Sequence, residues 1–108
     1  MAKYMIQVDA APDIIVGLLK NPEDRHAAVA PLYEAVGGTL EHYYMVEGGT
    51  SAILIAELPD DVSVSTISMA LYASGSLKDV KTTRIMTSAD AVAVMEKAAT
   101  LAYRPPSA

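Results

Sequence analysis

Between Thr39 and Pro59 the chain reads as a β-hairpin whose second strand is apolar on both faces. Ser51-Ala52-Ile53-Leu54-Ile55-Ala56-Glu57-Leu58 has no polar residue from Ala52 to Ala56. Alternation would mark a strand with one wet side, whereas an unbroken apolar run marks a strand covered on both. Upstream, Tyr4-Ile6-Val8 and Met5-Gln7-Asp9 form the two faces of a first strand. Pro12, with no backbone donor, ends that strand and opens a short helix through Lys20. Asn21-Pro22-Glu23-Asp24 reads as a second helix start, with Asn21 as N-cap and the acids at the positive end of the dipole. Val29, Leu32, Tyr33 and Val36 recur at helical spacing across Pro31, where a kink is expected, and Gly37-Gly38 supplies the stop.

Thr39 to Val46 and Ser51 to Leu58 are the hairpin strands, joined by Glu47-Gly48-Gly49-Thr50. The two glycines tolerate the positive φ angles that a tight hairpin requires. A third helix is expected from about Ser63 to Ala73, with Val64, Ile67 and Leu71 on one face and Gly75 as its stop. Asp79 to Met86 reads as a fourth strand. Thr87-Ser88-Ala89-Asp90 resembles a capping box and opens a last helix to about Leu101. One domain over residues 1–103 and a disordered C-terminal tail at 104–108 follow from this pattern.

The order predicts a ferredoxin-like α+β fold, βαββαβ with an extra C-terminal helix. Its four-stranded antiparallel sheet has the order 4-1-3-2, which puts the two most apolar strands in the middle. Glu41 and His42 then lie on one edge strand, and Lys81 and Arg84 on the other, as edge strands favour. Helices cover one face of such a sheet. The both-sided apolar character of the third strand predicts a second copy of the chain on the open face, giving a dimeric α+β barrel. The competing arrangement is a monomer whose last helix wraps that face.

Composition sharpens this. The 108 residues are 52% hydrophobic and only 19% charged, so little of the chain is available for a solvated surface. A homodimer or larger homo-oligomer is expected. A formal charge of −5 with eight scattered Lys and Arg opposes binding to nucleic acid or to an anionic membrane surface. The absence of cysteine excludes thiolate chemistry and fits a cytoplasmic protein. No targeting segment is visible, and Ile14 to Leu19 is too short an apolar run to span a bilayer.

Gly17-Leu18-Leu19-Lys20-Asn21-Pro22, Arg25, Gly37-Gly38-Thr39-Leu40-Glu41, Ile55-Ala56-Glu57-Leu58-Pro59-Asp60 and Ala73-Ser74-Gly75 resemble the GYD-domain family. That resemblance runs to about Thr87 and implies a ferredoxin-like, dimeric α+β barrel fold; it implies no particular activity. The chain departs from the family at the hairpin, where Gly48-Gly49-Thr50-Ser51 has neither the Tyr nor the Asp of the signature. No site is carried over from it.

Few residues offer chemistry. His42 is the acid–base candidate because an imidazole titrates near neutrality, and its spacing puts it with Leu40 and Tyr44 on the helix-facing side. His42, Tyr43 and Arg84 are the candidate catalytic set for a cofactor-independent enzyme of the monooxygenase or isomerase kind, a reading that rests on fold analogy. Gln7, Asp9, Glu41 and Tyr43 would share the open face, where Gln7, Asp9 and Glu41 are candidates to orient a small organic ligand. The alternative is that these groups satisfy backbone or partner-chain atoms. His26 is expected in solvent, and two isolated histidines make no metal site. No cofactor is expected: Gly48-Gly49 is not followed by the Lys-Ser/Thr of a phosphate loop. With no Phe or Trp, the six Tyr supply the large aromatic packing. The shortage of chemical groups points to a non-catalytic binding or interaction module.

Overall fold

A computed structural model describes residues 1–107. The chain runs β1 (Ala2–Ala10), α1 (Pro12–Lys20), α2 (Arg25–Glu34), β2 (Thr39–Met45), β3 (Ser51–Leu58), α3 (Asp61–Ala73), β4 (Leu77–Ile85) and α4 (Ser88–Ala98). The sheet is antiparallel in the order β2-β3-β1-β4, which is the expected 4-1-3-2 read from the other edge. The architecture is therefore α+β and ferredoxin-like, with an added C-terminal helix.

One face of the sheet carries the core. Tyr4, Ile6 and Val8 of β1 and Ala52, Leu54, Ala56 and Leu58 of β3 are buried there, with Leu40 from β2, Tyr33 from α2 and Ile67 from α3. Removing such side chains from water is the main favourable term in folding, roughly 1.5–3 kcal/mol for a fully buried Leu or Ile. Val64 and Leu71 join Ile67 in packing α3 on this core, as their spacing predicts. The opposite face exposes or half-buries Met5, Gln7, Ile53 and Ile55.

Helix ends follow local chemistry, with one difference from expectation. Asp24 rather than Asn21 caps α2, its carboxylate accepting from the His26 amide at 2.9 Å. Asn21 instead closes α1, donating its backbone N–H to Gly17 O. The N-terminal half of that segment is thus a link between two helices, because an Asp one residue before the helix outcompetes an Asn four residues away for its orphan amides. Asp60 accepts from Ser63 N and Oγ, both at 2.8 Å, and starts α3. These bonds hold the Asp60 carboxyl below the usual range. Thr87 caps α4 by accepting from Asp90 N at 3.0 Å.

The last helix does not wrap the open face. None of its residues is buried, Ala91 alone is half-buried, and Val92, Val94 and Met95 are exposed. After it, residues 101–107 are exposed and without regular structure; Ala108, part of the expected tail, lies outside the described residues. Among the described residues no helix is long and apolar enough to cross a membrane.

Two glycines are fixed by geometry. Gly48 in the hairpin has φ +75°, while its neighbour Gly49 does not adopt positive φ. Gly38, buried where α2 hands over to β2, leaves no room for a side chain: a Cβ would lie 2.5 Å from Glu57 O and 2.7 Å from Leu58 Cδ2. Gly38→Ala should therefore lower stability by about 1–3 kcal/mol, the range for overpacking a closed site. Gly48→Ala should cost about 1 kcal/mol, and Gly49→Ala less. Urea unfolding of the three variants checks this order.

Candidate functional site

The faces of β2 are decided by a bulge. β2 pairs Leu40 with Ala56 and then His42 with Ile55, leaving Glu41 as an extra residue. A bulge of this kind inserts one residue into the period-2 alternation, so every later side chain changes face. Leu40 lies on the buried side with Ala56, but His42 and Tyr44 share the open face with Ile55 and Ile53. Tyr43, opposite Leu54, turns to the helices. The simple alternation thus misplaces His42, Tyr44 and Tyr43, while the opposite orientation of the two tyrosines holds. The open face now carries an aromatic pair, with the His42 and Tyr44 rings stacked at 5.7 Å and 17°.

Gln7, Asp9 and Glu41 do lie on the open face, each with a distinct environment. Glu41 Oε1 is 2.9 Å from Lys3 Nζ, which also lies 4.0 Å from Glu57. The hydrogen bond from Lys3 to Glu41 holds the ammonium above its usual range. The bulge enables this contact across the intervening strand β3. Asp9 accepts from Thr50 Oγ1 at 2.9 Å and so fastens β1 to the hairpin. Gln7 and Asp9 border an open depression with Ser51, Ile53, Asp79 and Lys81.

The proposed catalytic trio does not assemble. His42 is on the open face, and Tyr43 and Arg84 are on the helix side, Arg84 by its pairing with Tyr4. Tyr43 and Arg84 belong to opposite edge strands, three strand spacings or about 14 Å apart. Arg84 is exposed and borders a groove with Lys3, Glu57, Asp90 and Val94, where β1 begins and β4 ends.

The helix side contains what the sequence did not signal: a cavity of about 310 Å³ beneath α1. Its floor includes Val8, Ala52 and Leu54, its roof Ile14, Ile15 and Leu18, and one end Arg25 and Tyr43. α1 buries none of its residues. No local pattern signalled the cavity, because Ile14, Ile15 and Leu18 come to lie over Ala52 only in the folded chain.

One further hydrogen bond joins the helix layer to β2. His26 is not in solvent as expected; its Nε2 donates to Leu40 O at 3.0 Å, a carbonyl just before the bulge. On the same helix, the Tyr33 hydroxyl is fully buried with no hydrogen-bond partner among the described residues. Burial, and then the nearby Tyr43, push the Tyr33 phenol up to about 12 from 10.0.

The chain matches the GYD domain over residues 4–95, and it belongs to the GYD domain family. No curated protein matches it. In this chain the β2–β3 hairpin turns at Gly48, and its Thr50 hydroxyl serves Asp9.

The Tyr33 hydroxyl generates a pH prediction. A folded phenol raised above its unfolded value favours folding fully below pH 10, and that contribution is lost as pH rises from 10.0 towards about 12. Tyr33→Phe should leave neutral-pH stability unchanged or slightly higher, since the hydroxyl has no partner to lose. Thermal melts between neutral pH and pH 11 should show a smaller alkaline loss in the variant than in the parent.

Proposed function

We propose that this GYD-domain protein is a non-catalytic binding or interaction module that works in the cytoplasm as a homodimer or larger homo-oligomer, joined through the open sheet face into a dimeric α+β barrel. The observation that carries this reading is the uncovered face itself. Met5, Ile53 and Ile55 lie at its centre, flanked by the stacked His42 and Tyr44, and among the described residues no helix packs across them. Apolar patches of this kind on a protein surface mark contact sites.

A second copy suits this face because a two-fold interface must complement itself. Around its apolar centre the face carries both signs, Lys3 and Lys81 with Glu41, Glu57, Asp9 and Asp79. The exposed Val92, Val94 and Met95 of α4 begin beside the same face and would gain cover from a partner. The low charged fraction of the chain points the same way.

Light scattering or sedimentation at micromolar concentration should give at least two 11.4 kDa chains. Ile55→Asp should yield folded monomer. Leu54→Asp, one residue along but 2% exposed on the core face, should yield unfolded protein, because an unpaired charge cannot be accommodated there. A parent protein that runs as a folded 11.4 kDa monomer overturns the reading.

A further inference from the structure

We propose that the cavity beneath α1 binds a small monocarboxylic acid with an apolar body, its carboxylate held at the end formed by Arg25 and Tyr43. Protein interiors are close-packed, and gaps larger than a water molecule are few. A space of about 310 Å³ between a helix and the sheet is therefore an exception, and it falls at the small end of the range for ligand pockets. It exists because α2 packs on β2 and α3 on β4 and β3, while α1 spans the middle without burying a residue. The strand beneath presents Ala52, too short to reach α1.

The lining sets the chemistry. Ile14, Leu18, Val29, Leu32 and Leu54 make the body of the cavity apolar. Two of its four hydroxyls are already used: Thr50 donates to Asp9, and Ser74 donates to Leu71 O while accepting from Ser76 N. Arg25 is the one charged side chain on the lining among the described residues, and Tyr43 stands with it on a wall shared with an outer depression. The cation and the phenol thus meet at the mouth. Arg25 is paired with Glu23, two residues away and exposed. Exposed pairs contribute little, so a ligand carboxylate can take the place of Glu23 at small cost. A planar guanidinium matches a carboxylate with two parallel bonds. The site is on the side of the sheet opposite the proposed interface, so each stands or falls without the other.

The test uses octanoate and octanol as probes, followed by amide chemical shifts on the intact protein. Octanoate should bind saturably and shift Ile14, Leu18, Val29 and Leu54. Arg25→Gln should weaken octanoate about tenfold, the worth of a charge-assisted bond, and leave octanol unchanged. Ala28→Leu fills the cavity from an exposed helix position and should weaken both probes. The proposal is overturned by no octanoate binding, by equal loss of acid and alcohol in Arg25→Gln, or by shifts confined to Met5, Ile53 and Ile55. Undiminished binding in both variants overturns it too.

Discussion

The rest of the fold depends on the burial of one side of β3. Ala52, Leu54, Ala56 and Leu58 are each at most 4% exposed, and they sit between β1 and β2 under the helices. A central strand with this face dry must be flanked by strands and roofed by helices, since its alternate residues otherwise meet water. The closeness of that packing also fixes Gly38, whose backbone runs against Glu57 O and the Leu58 side chain. Two of the four side chains are alanines. At Ala52 the short side chain leaves the space that α1 bridges without filling.

The bulge at Glu41 redistributes the chemistry of β2. It sends His42 and Tyr44 to the open face, turns Tyr43 to the cavity, and brings Glu41 within 2.9 Å of Lys3. Without it, the histidine would be a helix-side residue and both faces of the sheet would be chemically different. His26, donating to Leu40 O, ties α2 to the strand directly before the irregularity. The bulge thus separates the residues that spacing alone would group, and it gives the open face the aromatic flank that suits an interface. It also leaves the helix-side cavity with a phenol beside its cation.

The sequence by itself determined the elements and their order. Period-2 alternation in β1, the apolar run in β3, the helical spacing of Val64, Ile67 and Leu71, and the Thr87 cap each express a local rule, and each reappears in place. Edge and central strands were legible because burial leaves its mark on composition. Gln7, Asp9 and Glu41 could be assigned to the open face for the same reason, as could the opposite orientation of Tyr43 and Tyr44. Tertiary structure alone decided the face of His42, the separation of Tyr43 from Arg84, the His26 contact and the cavity under α1. A bulge is a mismatch between two strands, and neither strand records it alone. A cavity is likewise a sum of side-chain volumes from distant segments, here Ile14, Val29 and Ala52, that no local pattern can add.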